Sequence, residues 1–276
     1  NDGVKNYLEG VGTKTHPGTK IPFIAVPTTS GTGSEATKNA VISEVGENGY
    51  KKSLRHNNFI PDTALLDPEL AVSCPPSQTA ASGMDAFTQL LESFVSTNAN
   101  PLTDALAVKG LELCAGNLLT CYRNGDDIEA RAAMALASYI SGLTLANAGL
   151  GLVHGFASSI GGYHKIPHGV ICSRMMSACN DVTIRELKRA DNSFVLKKFA
   201  TIGRMFGKNS GKNTLYYVDH LLAIINEFTH EMQIPKLSDY GVSSVNYVKI
   251  VAATDNKFNP VKLSKEQLAE VLELSI

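Results

Sequence analysis

The alternation of apolar and polar positions divides the chain into two stretches of different character. Ile21 to Val26, IPFIAV, is a short apolar run of the kind a buried strand shows. Asn39 to Val45 and Lys52 to Phe59 alternate loosely and predict a hairpin, and Ala64 to Pro68 predicts another short strand ended by a proline. Residues 1–20 are polar and rich in Gly, Lys and Thr, which predicts a short helix end and a loop. From Pro75 onward the period becomes helical. It predicts helices over Thr79–Ser96, Pro101–Tyr122, Asp127–Ala148 and Leu152–Ile160, and then over 184–207, 212–231, 243–254 and 264–274. Pro235 and Pro260 mark loops. The shift near Cys74 predicts a boundary, with mixed α/β before it (1–74) and all-helical chain after it (75–276).

Composition narrows the function classes. Across 276 residues, 43% hydrophobic content supplies a sizeable core. A net charge of −1 gives no electrostatic footprint for nucleic acid. No apolar run reaches the length of a membrane span, and no signal peptide opens the sequence. The five cysteines form no CxxC pair, and the expectation is reduced core thiols in a cytoplasmic protein. Nothing electropositive in the sequence marks Cys172 or Cys179 as a thiolate. The opening NDGVKNYLEG does not read as a natural start, so the chain is expected to be a fragment.

The candidate chemistry concentrates in two places. Pro27 to Thr37, PTTSGTGSEAT, follows a predicted strand with a Gly/Ser/Thr loop suited to holding phosphate, or to an ordinary surface turn. It is neither a Walker A loop nor GxGxxG. Ala146 to Met176 is apolar and glycine-rich and carries His154, His164 and His168. His154 and His168 stand before glycines, which let an ion or substrate approach the backbone, whereas Tyr-His164-Lys reads as a surface or rim residue. Asp85, in GMDA, is a third candidate ligand. One carboxylate and two imidazoles leave positions open for water and substrate. Singly, each has a plainer reading: a first-turn aspartate on a helix dipole, a hydrogen-bonded core histidine, a turn residue. His16, His56, His220 and His230 lie in polar surroundings and read as solvated. No GxSxG nucleophile elbow occurs.

PTTSGTGSEAT, DPELAVSCPPSQTAASGMDAFTQLLES, ANPLTDALA and GLGLVHGFASSIGGYHKIPHGV, in that order, resemble the iron-containing (group III) alcohol dehydrogenases over about residues 20 to 275. The resemblance implies a mostly α, mixed α/β fold: the remnant of an α/β nucleotide-binding domain followed by an all-helical metal-binding domain, in a dehydroquinate synthase-like architecture. It implies NAD or NADP and a divalent ion, Fe²⁺ or Zn²⁺, as cofactors, a small alcohol or aldehyde as substrate, and a homodimer. Carried over by motif, Asp85, His154 and His168 match metal ligands. Thr28, Thr29, Ser30 and Thr32 match the loop at the cofactor's phosphates and nicotinamide end, and Asn39 and Lys51 match further cofactor contacts, with Lys52 competing for the lysine position.

Three departures accompany the match. Gln89 stands where many members carry a fourth ligand histidine, so whether residue 89 ligates is left open. Ser158 stands where many carry a histidine near the nicotinamide, and the N-terminal GGGS turn is absent. The implied reaction is reversible hydride transfer between NAD(P) and a small alcohol, with the ion as Lewis acid. Two other readings stand beside it: a metal-independent reductase resembling maleylacetate reductases, and a helical fragment that binds only metal or a dimer partner.

Overall fold

The computed structural model describes residues 3–207 and 211–276. Residues 1 and 2, the start of the predicted helix end, lie outside the described residues. Four short strands come first: β1 (Ile24–Ala25), β2 (Asn39–Glu44), β3 (Tyr50–Arg55) and β4 (Thr63–Ala64). Nine α-helices follow among the described residues: α1 (Pro76–Val95), α2 (Pro101–Arg123), α3 (Ile128–Ala148), α4 (Leu152–Tyr163), α5 (His168–Arg189), α6 (Ser193–Phe206), α7 (Thr214–Glu231), α8 (Tyr247–Ala253) and α9 (Lys265–Ser275).

The strands are shorter than the apolar runs that predict them. β1 and β4 pair in parallel over two residues only, Ile24 with Thr63 and Ala25 with Ala64. Ile21, Phe23, Ile24, Val26 and Leu65 around this pair are exposed. The hairpin forms, but its second strand starts at Tyr50 and stops at Arg55, with Asn39 opposite Arg55 and Glu44 opposite Tyr50. Beyond it, the His56 ring nitrogen accepts from the Asn58 amide and turns Asn57–Phe59 into a 3₁₀ turn.

Helix limits follow local capping. Asn100 and Thr103 exchange hydrogen bonds in a capping box ahead of Pro101. Asp127, Asn192 and Asn213 cap α3, α6 and α7. The predicted single helix over 184–207 is two: α5 ends at Arg189, Asp191 takes a left-handed conformation (φ 50°), and Asn192 starts α6. Asp tolerates that backbone better than most residues. The 243–254 helix resolves into a 3₁₀ turn at Ser244–Asn246 followed by α8.

Two apolar clusters hold the helices. The first joins α1, α2, α3, α5, α6 and α7 around Phe87, Leu111 and Phe199, with Phe87, Phe206 and Phe228 in mutual ring contact. The second joins α4, α5 and α9 around Phe156, Ile171 and Leu272. α1 carries Met84 and Phe87 in the first cluster, α4 carries Val153 in the second, and α5 bridges the two, with Val170 and Met176 in the first and Cys172 in the second; these helices meet at a seam. Cys114, Cys121, Cys172 and Cys179 are buried free thiols and Cys74 is half-buried. Among the described residues, no single helix is long and apolar enough to cross a membrane, and α3 and α4 qualify only as a pair bent by 98°.

Candidate metal centre

Asp85 lies on α1 well past its first turn, so the helix-dipole reading does not apply, and its carboxylate is buried. Helical spacing puts Gln89 and Glu92 on the same face. α4 begins at Leu152, with His154 in its first turn. α5 begins at His168 and carries Cys172 one turn further along that face. Three helices from distant parts of the chain thus bring Asp85, His154, His168 and Cys172 together, with one donor atom from each within 4.8 Å of the others.

Asp85 Oδ1 lies 3.3 Å from His154 Nε2 and 3.7 Å from His168 Nε2, yet has no well-formed hydrogen bond. Its other oxygen accepts from Thr32 Oγ1 at 3.2 Å. A buried carboxylate oxygen without a donor, facing two imidazole nitrogens, is a place for a cation. The donor set of oxygen and imidazole nitrogen suits a divalent transition ion.

Glu92 organises the second side of His154. Its Oε2 lies 2.6 Å from His154 Nδ1 and its Oε1 accepts from the Val153 amide at 2.6 Å. One carboxylate therefore caps the N-terminus of α4 and fixes the ring so that Nε2 faces Asp85, as outer carboxylates do for ligand histidines. Glu92 is not among the site residues that the sequence predicts. Its signal is a charge seven residues after Asp85 inside the apolar run LLESF, which is costly unless partnered.

The two motif glycines act in packing. A β-carbon at Gly155 would stand 2.0 Å from the Asp255 carbonyl oxygen, and one at Gly169 would stand 2.0 Å from the Ala81 carbonyl oxygen. Gly169 thus lets α5 approach α1 closely enough for His168 to reach Asp85. The expectation that these glycines admit an ion or substrate to the backbone gives way to close contact between helices and neighbouring chain.

The electrostatics follow from burial against local partners. Burial opposes charge on Asp85, but His168 and His154 outweigh it and hold the carboxyl well below its usual range. Burial likewise opposes a charged His154, but Cys172, Glu92 and Asp85 raise it well above the ordinary imidazole value. Burial of its ring pushes His168 down to about 3 against the pull of Asp85, with Lys51 and His154 adding to the fall. Burial pushes the Cys172 thiol up to about 11, with His154 opposing. Cys172 Sγ sits 3.7 Å from Nε2 of His154 on α4 and 3.7 Å from Nε2 of His168 one turn back on α5, yet burial outweighs these neighbours, in keeping with a sequence that marks no ready thiolate.

The remaining expected site residues fall around this centre. Lys51, not Lys52, turns inward: it is half-buried with Nζ 3.1 Å from His168 Nδ1, while Lys52 is exposed. Thr28 and Thr29 are exposed on the loop after β1, and Ser30 is half-buried. The next residue, Gly31, is held to α3 by Ser141 Oγ. Asn39 is half-buried at the start of β2. Gln89 is fully buried; its Oε1 accepts from Ser141 Oγ at 3.2 Å and its Nε2 has no partner. Ser158 donates to the His154 carbonyl oxygen at 2.8 Å. His164 is half-buried at the end of α4. His16 and His56, expected to be solvated, are half-buried, and both pack against Phe59. His220 is half-buried against Tyr216, and His230 is exposed.

A carboxylate and two imidazoles where three helices meet, preceded by a strand-and-loop segment, define a candidate divalent-metal centre. The sequence profile for the C-terminal part of the Fe-containing alcohol dehydrogenase family matches residues 79–276, and the iron-containing alcohol dehydrogenase profile matches residues 1–68. The chain belongs to the iron-containing alcohol dehydrogenase family. It is 32% identical to an NAD-dependent methanol dehydrogenase of Bacillus methanolicus, over 99% of this chain and 70% of the relative. It is 35% identical to a 1,3-propanediol dehydrogenase of Klebsiella pneumoniae, over 95% of this chain and 66% of the relative. The crystal structure of a 1,3-propanediol oxidoreductase superposes with a TM-score of 0.85 at 31% identity, covering 98% of this chain and 69% of that one. The chain thus spans about two thirds of the length of such relatives.

Proposed function

We propose that the chain carries the metal-centred part of an NAD(P)-linked oxidoreductase that interconverts small alcohols with their aldehydes or ketones, working in the cytoplasm as a homodimer. The observation that carries this reading is the unpartnered Asp85 Oδ1 facing two imidazole Nε2 atoms. When bound, the divalent ion supplies Lewis acidity toward a substrate oxygen, and NAD(P) supplies the hydride acceptor or donor.

The chain's own residues do the rest. Asp85, His154 and His168 would hold the ion, Thr32 orients Asp85, and Glu92 keeps the His154 proton on Nδ1. The His168 side chain, 29% exposed, opens the centre to solvent on one side, and this is where substrate enters. Lys51, with Nζ 3.1 Å from His168 Nδ1, would stand between the metal centre and the cofactor side. Thr28, Thr29, Ser30 and Asn39 complete the cofactor side. The chain divides near Cys74 into a nucleotide-binding segment and a helical metal-binding domain. Names among the relatives include both NAD- and NADPH-dependent enzymes, so both nucleotides belong in the assay.

The test is nucleotide-dependent oxidation of short alcohols and diols after loading with Fe²⁺ or Zn²⁺. His154→Ala is expected to lose on the order of a thousandfold in kcat/KM, because several kcal/mol of charge stabilisation go with the ion. Loaded wild type that neither binds nucleotide nor turns over sinks the reading.

A further inference from the structure

Four of the distances among the donors at the seam can be read, and all lie within 4.8 Å. Cys172 Sγ is 3.7 Å from His154 Nε2 and 3.7 Å from His168 Nε2. Asp85 Oδ1 is 3.3 Å and 3.7 Å from the same two nitrogens. An ion bonded at about 2.3 Å to a thiolate and about 2.1 Å to imidazole and carboxylate holds sulfur and nitrogen roughly 3.6 Å apart, and nitrogen and oxygen roughly 3.4 Å apart. These four distances are of this length before any ion is considered.

Residue 89 offers a glutamine amide in place of an imidazole, a weaker and harder donor. The Gln89 carbonyl oxygen lies 3.2 Å from Ser141 Oγ, and its amide nitrogen, which offers no lone pair to a metal, has no partner. Cys172, by contrast, is buried and one turn from His168 on α5, and Asp85 Oδ1 is buried and unpartnered beside the same histidines. No other cysteine joins the cluster among the described residues.

We propose that Cys172, as a thiolate, is the fourth protein ligand of the ion held by Asp85, His154 and His168, standing in for the histidine that Gln89 replaces, and that this set of one oxygen, two nitrogens and one sulfur selects zinc over iron. The proposal rests on the metal-centre reading above and names its ligand set. Binding replaces the S–H bond by a metal–sulfur bond and releases one proton to solvent per ion. A thiolate in place of an imidazole or amide softens the site, which favours Zn²⁺ over Fe²⁺.

The experiment loads the metal-free full chain with Co²⁺ and reads both stoichiometry and the near-ultraviolet thiolate-to-cobalt charge-transfer absorption. One Co²⁺ per chain with that band is expected in wild type and in Cys179→Ser. Cys172→Ser is expected to bind Co²⁺ without the band, and to lose at least about tenfold of the wild-type preference for Zn²⁺ over Fe²⁺. X-ray absorption on zinc-loaded wild type needs no variant and is expected to show one sulfur at about 2.3 Å. Stoichiometric Co²⁺ without the band, a band that persists in Cys172→Ser, or a zinc shell of nitrogen and oxygen alone overturns the thiolate ligand while leaving the centre standing. Wild type that takes up no Co²⁺ overturns both.

Discussion

Glu92 shows how much one side chain can carry. It serves two donors at once, the Val153 amide and His154 Nδ1, so it fixes both the start of α4 and the direction of a ligand lone pair. Glu92→Gln keeps the shape but loses the charge and one acceptor. It is expected to weaken Zn²⁺ binding by on the order of tenfold to a hundredfold in chelator competition; unchanged affinity would remove Glu92 from the account. Glu35 has the opposite situation, a buried carboxylate with Oε1 unpartnered, and burial raises its pKa above 4.5 with only its own backbone amide opposing. A raised folded pKa on an acid means the charged form is disfavoured in the folded state. That cost is full above the raised value and vanishes as pH falls toward 4.5. Glu35→Gln should therefore raise Tm by about 2–4 °C at neutral pH, about 1 kcal/mol, with the gain fading in acid. Thermal scans across pH decide it. Asp85, His154 and His168 are legible in the sequence because their chemistry stands out from small, apolar neighbours. Glu92 and Cys172 are not, because each acquires its meaning from a helix far away in the chain.

Elements were legible where period and caps agree. Asn100-Pro101 and Asp127 start α2 and α3 where the pattern places them. The pattern fails at α5, whose first turns lie inside a glycine-rich stretch that reads as irregular. The break at Asp191 is likewise hidden, because Leu, Lys and Arg on both sides continue a helical period. What positions α5 is the absence of a side chain at residue 169, against the Ala81 carbonyl of α1. Gly169→Ala is expected to force the two helices apart, costing about 1–3 kcal/mol in chemical denaturation. It should weaken metal binding as well, although residue 169 supplies no ligand. A variant as stable as wild type with intact affinity would show that the approach of α5 to α1 does not set the centre.

At the scale of the whole molecule, the helical part buries its apolar surface in two clusters, while the β1–β4 pair does not. Ile21 is 85% exposed, Ile24 64% and Leu65 53%. Exposed apolar residues beside an unpaired strand edge favour association. The chain as it stands is expected to self-associate with rising concentration, and Ile24→Lys with Leu65→Lys to suppress this in light scattering without changing Tm appreciably. Equal association in the double variant would place the contact elsewhere. This region was the least legible in the sequence, since an apolar run such as IPFIAV predicts a buried strand whatever is present to bury it.

The seam between the two clusters has one more consequence. Asp85 comes from α1, His154 from α4 and His168 from α5, so α2 and α3 lie between the first donor and the others along the chain. An unfolded chain does not hold these donors together, so an ion bound by all of them favours the packed arrangement of α1, α4 and α5. An ion at a hundred times its Kd then favours the docked state by about 2.7 kcal/mol, and occupancy of the centre becomes a gauge of how many molecules have completed their assembly.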